Sequence, residues 1–239
     1  MKIALIGYGK MGKTIEKLAL ENGHEIILKI NRTNIDELTI ENLRKADVAI
    51  EFSTPQTVIK NVLLCFEAGT PVVIGTTSWN NHQMEIAETC ISVGGAMISA
   101  SNFSLGVNLF FALNNKLAQM MAKYAQYKIS LSEIHHTAKL DAPSGTAITL
   151  AEGIISQNNH YKNWENNLLT HENTLSIHSI REPDVPGTHV VKYTSNEDCV
   201  EIKHTAINRD GFASGALMAA KWLVGKKGVY TMNDVLDIH

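Results

Sequence analysis

The stretch EIHHTAKLDAPSGTA, which starts at Glu133, contains the residues best suited to acid–base chemistry. His135 and His136 are adjacent, Lys139 follows them, and both residue types can exchange a proton near neutral pH in a suitable environment. A single histidine is more often structural than catalytic, so spacing alone leaves the two roles about equally open. A metal site is less favoured, because His135, His136 and Asp141 lack the spacing of a helical zinc site and no cysteine is nearby.

The same stretch predicts an anion-binding site at the start of a helix. Ser144 precedes an apolar run with helical spacing and is the expected N-cap residue. The backbone N–H groups of Gly145 and Thr146 would then point outward at the positive end of the helix dipole. His136 and Lys139 would add positive charge, which favours an anionic substrate such as a carboxylate. The alternative is an ordinary capped helix beside a solvated lysine.

A glycine-rich loop near the amino terminus predicts dinucleotide binding. The sequence G-Y-G-K-M-G lies between a predicted strand at 2–6 and a predicted helix at 13–20. Gly7 would allow the tight turn, Gly9 would let the backbone approach a pyrophosphate, and Gly12 would let helix and strand pack closely. This context favours a cofactor loop over a structural turn, and we expect all six residues to contact the cofactor: Gly7, Tyr8, Gly9, Lys10, Met11 and Gly12.

The residues that should hold the cofactor's ribose are unusual. The acidic residue typical of this position is replaced by Asn31, and Arg32 follows it. Asparagine can bond a ribose hydroxyl without repelling a 2′-phosphate, which Arg32 could bind. We therefore predict that NADPH is accepted at least as well as NADH; the alternative is that Arg32 is only a solvated surface residue.

Small polar residues follow two further predicted strands. Ligands of open α/β sheets bind outside the carboxyl ends of the strands. These residues are therefore candidates for contacts to the nicotinamide ribose, although ordinary turn chemistry would explain them about equally well: Ser53, Gly75, Thr76 and Thr77.

Alternating strand and helix patterns over about the first hundred residues predict an α/β fold with a Rossmann-like, doubly wound parallel sheet. The predicted strands are short apolar runs at residues 2–6, 25–30, 47–52, 71–75 and 96–100. The expected organisation is a dinucleotide-binding domain to about residue 102, followed by a domain of the α+β class.

The second part has a different pattern. A long helix is predicted at 107–124, and its buried side is expected to consist of Leu109, Phe110, Leu113, Leu117, Met120 and Met121. Alternating segments indicate an antiparallel or mixed sheet, and they lie at 127–134, 174–182, 188–195 and 199–207. The polar stretch 156–173 is predicted as a surface loop, and a last helix is expected near 212–224.

Composition argues against several classes of protein. Of 239 residues, 44% are hydrophobic and 19% charged, which is typical of a soluble globular protein. The net charge is −3 without a Lys/Arg-rich run, so neither nucleic acid nor a membrane surface is expected as a partner. No stretch approaches the roughly 18 apolar residues of a membrane span, and a cytoplasmic location is expected. Cys65, Cys90 and Cys199 are predicted to be buried, inert thiols.

Taken in order, the motifs resemble the 4-hydroxy-tetrahydrodipicolinate reductase family, also called dihydrodipicolinate reductase. GYGKMGK resembles its amino-terminal cofactor loop, EFSTP and GTTSW its next two cofactor loops, and SASNFSLGVN the segment joining its domains. EIHHTAKLDAPSGTA is the most specific signature. HTAINRDGFASGALMAAKWL and GVYTMNDVL resemble its carboxyl end, so the resemblance covers nearly the whole chain.

The resemblance implies a reaction and residues for it. NADPH or NADH would reduce 4-hydroxy-tetrahydrodipicolinate, a cyclic dicarboxylate, to tetrahydrodipicolinate with loss of water, in lysine and diaminopimelate biosynthesis. His135 would be the proton donor or acceptor and Lys139 a proton donor. The residues implied to bind the substrate are His136, Lys139, Gly145 and Thr146, with Arg209 as a further residue near it.

The resemblance also implies the domain organisation and the assembly. The cofactor-binding domain would comprise residues 1–102 with 208–239 returning to it, and residues 103–207 would bind substrate and mediate oligomerisation. A homotetramer would form through the sheets of the second domain. The cofactor contacts implied are Gly7 to Gly12, Arg32, Gly75, Thr76, Thr77, Ala100, Ser101, Asn102 and Phe103.

Two other functions fit parts of the sequence. One is a different nicotinamide-dependent enzyme, such as one acting on an amino-acid semialdehyde; the basic residues and helix start in HHTAKLDAPSGT fit a dicarboxylate better. The other is a non-catalytic dinucleotide sensor, which would bind cofactor without needing Lys139 or the paired histidines.

Overall fold

The computed structural model describes residues 1–167 and 171–238, except for the side chain of Asn80. The chain forms two compact units. The first contains Met1–Leu105 and Arg209–His239, and the second contains Gly106–Asn208. Among the described residues, no helix combines the length and the apolar composition that crossing a bilayer requires.

The regular elements are numbered in chain order. In the first unit they are β1 (Lys2–Ile6), α1 (Lys10–Glu21), β2 (Glu25–Ile30), α2 (Ile40–Leu43), β3 (Val48–Glu51), α3 (Val58–Ala68), β4 (Val72–Ile74), α4 (Gln83–Ser92) and β5 (Ala96–Ser99). The second unit contains α5 (Leu105–Met121), which begins at the boundary, β6 (Lys128–His135), α6 (Gly145–Gln157), β7 (Asn163–Glu165), β8 (Thr174–Arg181), β9 (Thr188–Thr194) and β10 (Cys199–Thr205). The chain then returns to the first unit with α7 (Asp210–Leu223), β11 (Gly228–Tyr230) and α8 (Met232–Leu236).

The first unit is built on a six-stranded sheet in the order β11-β5-β4-β3-β1-β2. All its strand pairs are parallel. Parallel strands are covered on both faces, so they are mostly apolar, as the buried residues of β1, β3 and β4 show. The predicted Rossmann-like sheet is confirmed. Its carboxyl ends lie at one edge, where the glycine loop follows β1.

The second unit is built on a five-stranded sheet in the order β10-β9-β6-β8-β7. β8 runs parallel to β6 and β7, whereas β9 runs antiparallel to β6 and β10. The sheet is therefore mixed, as predicted. In β6 buried residues alternate with more exposed ones, because successive side chains point to opposite faces. One face packs with residues of α5 and α6 in an apolar core.

Two short strands are not predicted from the sequence. The polar stretch 156–173 is predicted as a loop, but Asn163–Glu165 forms β7 and pairs with β8. No strand is predicted at Gly228–Tyr230, which nevertheless forms β11 and extends the parallel sheet beside β5. Residues 168–170 of the predicted loop lie outside the described residues. Short strands formed by polar or mixed sequence depend on a neighbouring strand, so sequence patterns identify them poorly.

The predicted buried side of α5 is wrong in part. Leu109, Leu113 and Met120 are about half exposed, at 49%, 52% and 57%. Phe110 is buried as predicted, and Leu117 and Met121 are partly buried against the core. The buried side also includes Asn114, whose side-chain nitrogen donates to the Leu150 carbonyl of α6 at 3.1 Å. The helix has apolar residues on every side, so hydrophobicity alone does not distinguish its buried face from its exposed face. The buried amide of Asn114 cannot be recognised from an apolar pattern.

The prediction for one cysteine is wrong as well. Cys65 and Cys90 are buried, and burial raises the pKa of both thiols, which makes them inert. Cys199 is exposed at the start of β10. Since β10 is an edge strand of its sheet, its side chains have less protein around them than those of the central strands.

Candidate active site

The strand β6 carries His135 at its carboxyl end, on the same buried face as Glu133. Glu133 is fully buried and His135 is 7% exposed. His136 follows the strand, is partly exposed, and its carbonyl accepts a hydrogen bond from the Lys139 backbone N–H at 3.1 Å. The strand therefore places His135 in a buried polar environment, while His136 lies in the loop beyond it.

The Glu133 carboxylate accepts hydrogen bonds from two serine residues. The backbone N–H of Ser144 lies 3.1 Å from Oε1 and 3.2 Å from Oε2, and the Ser179 hydroxyl donates to Oε1 at 2.8 Å. Ser179 faces Glu133 directly across the β6–β8 pair. These donors come from the loop before α6 and from β8, so one carboxylate connects two segments distant in sequence.

Three basic side chains surround the same carboxylate. His135 Nδ1 lies 3.4 Å and His189 Nε2 lies 3.6 Å from Glu133 Oε2, and Arg181 Nη1 lies 3.7 Å from Oε1. The rings of His135 and His189 meet edge to face, with centroids 5.1 Å apart. We call this set the Glu133 cluster: Glu133, His135, Ser144, Ser179, Arg181 and His189.

The cluster sets the charge of its members. Burial alone would raise the pKa of Glu133. The bonds it accepts, with His189, Ser144 and Ser179 as donors, and the charge of His135 outweigh burial and lower this pKa to about 2. Burial lowers the pKa of His135 to about 4; Glu133 opposes this shift and neighbouring positive groups add to it. Without ligand, Glu133 is therefore ionised and His135 neutral near neutral pH.

Ser144 caps α6, as predicted. Its hydroxyl accepts a hydrogen bond from the Ala147 backbone N–H at 3.2 Å and lies 3.2 Å from His189 Nε2. Gly145 begins the helix and is exposed, whereas Thr146 is 8% exposed. A helix start of this kind presents backbone N–H groups and a positive dipole end to an anion.

Lys139 lies in the loop between β6 and α6 and forms an ion pair. Its Nζ is 2.8 Å from both carboxylate oxygens of Asp141. The lysine side chain is 21% exposed and the aspartate side chain 60%. Arg181 steadies this loop by donating to the Asp141 carbonyl at 2.7 Å. A substrate carboxylate that binds Lys139 must therefore share it with, or take it from, Asp141.

Glu133, His135 and His189 also form the one His/Cys/Asp/Glu group in the described ranges that is compact enough for a metal ion, with ligand atoms within 4.8 Å. The carboxylate already accepts bonds from two donors, and Arg181 places a positive charge beside it. A divalent cation would have to displace these contacts. We interpret the group as a buried polar cluster and retain the prediction that no residue is a metal ligand.

In the first unit, the glycine loop closes tightly against β3. Gly7 has φ +96°, and a Cβ there would collide with the Phe52 carbonyl. A Cβ on Gly12 would lie 2.8 Å from the Gly7 carbonyl oxygen, so these two glycines permit close packing. Gly9 has open space around the same position and is the N-cap of α1. The loop thus leaves its backbone accessible at the positive end of α1, which fits a bound pyrophosphate.

A cleft of about 560 Å³ begins at this loop. Its lining includes predicted residues from the ends of three strands: Gly7, Tyr8, Gly9, Asn31, Arg32 and Ser53. The Asn31 side-chain oxygen accepts from the backbone N–H and the hydroxyl of Thr33, both at 2.7 Å. That oxygen therefore stabilises the turn after β2. Arg32 is exposed at the cleft, and none of the described residues that line it carries a carboxylate.

A buried carboxylate, Glu51, lies at the end of β3 beneath this cleft. Thr76 Oγ1 donates to Glu51 Oε2 at 2.6 Å and accepts from the Ser53 backbone N–H at 2.9 Å. Ser53 Oγ and Asn61 Nδ2 also donate to Glu51. Burial raises the pKa of Glu51, although these bonds oppose the shift. The network joins the second and third predicted cofactor loops.

A smaller cleft of about 230 Å³ lies at the next strands of the same unit. It is lined by Met11, Phe52, Gly75, Ala100, Ser101, Asn102, Phe103, Arg209 and Phe212. Arg209 thus lies in the first unit, among predicted cofactor residues. Lys10 and Thr77 are exposed and line neither cleft, and the Thr76 hydroxyl is committed to Glu51.

Several polar residues of these sites carry little or no signal in the sequence. Glu51 and Glu133 each interrupt an apolar or alternating strand at a buried position, and that interruption is the available signal. Ser179, Arg181 and His189 carry no such signal. They reach Glu133 only through strand pairing that the sequence does not reveal.

A parallel α/β unit with a glycine-loop cleft and a second unit with a buried acid–base cluster define a nicotinamide-dependent oxidoreductase. Sequence models described as "Dihydrodipicolinate reductase, N-terminus" and "Dihydrodipicolinate reductase, C-terminus" match residues 1–103 and 106–236. The chain belongs to the dihydrodipicolinate reductase family. The predicted NAD(P)H-dependent reduction in lysine and diaminopimelate biosynthesis is confirmed by this membership.

Individual relatives match over nearly their whole length. A 4-hydroxy-tetrahydrodipicolinate reductase of Christiangramia forsetii is 48% identical over 99% of this chain and 98% of its own. One of Thermosipho africanus is 36% identical over the same shares. A dipicolinate-bound dihydrodipicolinate reductase from Paenisporosarcina sp. TG-14 superposes with a TM-score of 0.75, at 25% identity, covering 97% of each chain.

Proposed function

We propose that the Glu133 cluster, Lys139 and the start of α6 carry the reduction of 4-hydroxy-tetrahydrodipicolinate to tetrahydrodipicolinate. One observation supports this most strongly. His135 and Ser144, at the start of α6, both contact the buried Glu133 carboxylate, and Lys139 lies in the loop between β6 and α6 of the same compact unit. A proton-transfer group and two kinds of carboxylate-binding group are what a cyclic dicarboxylate substrate requires.

The first unit holds the cofactor in this proposal. The glycine loop and the start of α1 bind the pyrophosphate, and Asn31 and Arg32 lie at the end of β2 where the adenosine ribose is expected. The residues of the smaller cleft, with Gly75 and Ala100 to Phe103, are assigned to the nicotinamide end. When bound, the nicotinamide supplies a hydride to the substrate. Arg209 lines the same cleft and is proposed to approach the substrate.

The second unit provides the charged and proton-transferring groups in this proposal. Hydride arrival leaves negative charge on the substrate, which a positioned acid must neutralise. Lys139, paired with Asp141, is one candidate for this acid. His135 is neutral without ligand, because its pKa is about 4. The negative charge of a bound dicarboxylate favours the imidazolium form and raises this pKa, so substrate binding itself would charge His135.

Calorimetric titration with dipicolinate, the ligand bound to the Paenisporosarcina sp. TG-14 protein, tests these roles. Heats measured in buffers of different ionisation enthalpy give the protons taken up on binding. We expect positive uptake that grows as the pH falls from about 8 to about 6, since the pKa of His135 rises from about 4. His135→Gln should abolish the uptake and Lys139→Met should preserve it.

The same titration measures the contribution of Lys139 to affinity. We expect Lys139→Met to weaken dipicolinate binding roughly 10- to 100-fold, because a charge-assisted hydrogen bond is lost. Lys123→Met is the matched control, since Lys123 follows α5 and is exposed. Equal affinity in the two variants, or uptake that persists in His135→Gln, would contradict the assigned roles.

We also propose a homotetramer and a cytoplasmic location. The face of the second sheet opposite α6 carries partly exposed residues that alternate with the buried ones, including Ser132, Ile134, Ile180 and Val190. Partly exposed isoleucine and valine on a sheet face favour association of copies through that face. Composition and charge support the location.

A further inference from the structure

Glu133 contacts both halves of the proposed substrate site. On one side it accepts the Ser144 backbone N–H at 3.1 and 3.2 Å, immediately before the first turn of α6. On the other side its Oε2 lies 3.4 Å from His135 Nδ1, a close charge contact without hydrogen-bond geometry, and this buried Nδ1 has no hydrogen-bond partner among the described residues. Glu133 is fully buried, so these electrostatic contacts are not screened by solvent. A shift of this one carboxylate would therefore move the proton-transfer ring and the helix start together.

Strand pairing holds the carboxylate itself in place. Ser179 of β8 and His189 of β9 are the residues directly opposite Glu133 on its two neighbouring strands. Ser179 Oγ donates to it at 2.8 Å and His189 Nε2 lies at 3.6 Å. Since both neighbours lie on central strands, the position of the carboxylate is set by the sheet and not by a loop.

The contact with Nδ1 leaves the other ring nitrogen of His135 for chemistry. A Cβ on Gly187 would approach His135 Nε2 to 3.0 Å, so glycine keeps that side of the ring from being covered. A carboxylate at Nδ1 favours the tautomer with its proton on Nδ1, which makes Nε2 the nitrogen that exchanges a proton with substrate.

The charges around His135 act in opposite directions. The groups of the second unit that influence its titration are Glu133 on β6, Arg181 on β8, His189 on β9 and Lys139 in the following loop. Glu133 raises the pKa of His135, whereas the other three lower it. The negative charge of Glu133 is therefore the contribution within this unit that favours a protonated ring.

We propose that Glu133 is a positioning residue that orients His135 through Nδ1, favours its protonated form, and fixes the first turn of α6 through Ser144. This inference rests on the proposed roles of His135 and α6. Glu133 does not touch the substrate; it acts through the two groups that do.

Glu133→Gln tests the proposal, because glutamine keeps the shape and removes the charge. NMR titration of the His135 ring, assigned by comparison with His135→Gln, should show its pKa below the wild-type value. The kcat should fall roughly 10- to 100-fold, the KM for substrate should rise, and the KM for NADPH should stay unchanged. An unshifted His135 titration with a retained kcat would overturn the proposal.

Arg181→Gln provides a second test with the opposite sign. Arg181 also lies against Glu133. A purely structural disturbance would therefore lower activity in both variants, but it would not shift the pKa of His135 in opposite directions. We expect the pKa of His135 to rise in Arg181→Gln, because a positive charge is removed. A fall or no change would count against the proposal, and this test remains available if Glu133→Gln does not fold.

His135→Ala, assayed alongside, distinguishes a failure of the positioning role of Glu133 from a failure of the proposed role of His135. If His135→Ala loses turnover but Glu133→Gln keeps it, only the positioning role fails. If His135→Ala turns over normally, the proposed function of His135 fails, whatever the titrations show.

Discussion

Arg32 is the residue whose assigned role depends least on the rest of the site. It is exposed at the cofactor cleft, directly after Asn31, whose side-chain oxygen is used by the turn. The described lining of this cleft contains no carboxylate that would repel a 2′-phosphate. Arginine binds phosphate through paired, charge-assisted hydrogen bonds. These observations support the prediction that NADPH is accepted at least as well as NADH.

Arg32→Ala should therefore affect the two cofactors differently. We expect the KM for NADPH to rise roughly 10-fold, because one charge-assisted contact is lost, and the KM for NADH to change little. Arg44→Ala is the matched control, since Arg44 is exposed and lies outside the cleft. Equal changes for both cofactors would show that Arg32 does not read the 2′-phosphate.

Residue types predict the two candidate sites better than they predict the contacts within them. Histidine, lysine and a helix start in one short stretch point to proton transfer and anion binding from the sequence alone. The Glu133 cluster cannot be predicted in this way, because Ser179 and His189 become neighbours of Glu133 only when β8 and β9 pair with β6. Contacts between residues so far apart in the sequence cannot be identified before the strand pairing is known.

At the scale of elements, the loop between β1 and α1 separates two uses of glycine. Gly7 is required by packing and backbone conformation, since its φ is +96° and a Cβ would collide with the Phe52 carbonyl. A Cβ added to Gly9 would have no described protein atom within 4 Å, so this side of Gly9 faces open space at the helix start. The first glycine serves the fold and the second serves the ligand.

This distinction predicts different losses on substitution. Gly7→Ala should destabilise the protein, because neither strain nor collision can be relieved without moving β3. Gly9→Ala should fold with a similar melting temperature but bind NADPH more weakly, since the methyl group would enter the space assigned to pyrophosphate. Thermal unfolding and fluorescence titration with NADPH measure the two effects. Unchanged NADPH affinity in Gly9→Ala would contradict the cofactor-loop assignment.

Elements differ in how well sequence predicts them. The strands β1, β3, β4 and β5 are short, mostly apolar runs that are largely buried, and such runs stand out in sequence. The predicted face of α5 is wrong at Leu109, Leu113 and Met120, because apolar residues occur on every side of the helix and the buried side includes Asn114. β7 escapes prediction because a polar three-residue strand is stable only through its pairing with β8.

At the scale of the whole molecule, the chain divides into two compact units with different chemistry. The first provides the glycine-loop clefts and the second provides the Glu133 cluster. Hydride transfer requires contact between nicotinamide and substrate, so activity needs both units. The assignment of cofactor binding to one and substrate binding to the other remains a prediction.

The proposed homotetramer can be tested through the outer face of the second sheet. Sedimentation of the wild-type chain should give four times the chain mass. Ser132→Arg should reduce that mass, because Ser132 lies on the face opposite Glu133 and a buried charge there is costly. Gln119→Arg is the control, as Gln119 is exposed on α5. A monomeric wild type, or an unaffected Ser132→Arg tetramer, would rule out this assembly.

The most direct test of the account is a coupled turnover assay. The substrate is generated from pyruvate and aspartate semialdehyde by the synthase that makes it, and NADPH and NADH oxidation are followed in parallel. The account predicts cofactor consumption that depends on the synthase, with NADPH used at least as well as NADH, and near-complete loss in Lys139→Ala that remains folded. Binding of both cofactors without synthase-dependent consumption, or normal turnover in Lys139→Ala, would contradict it.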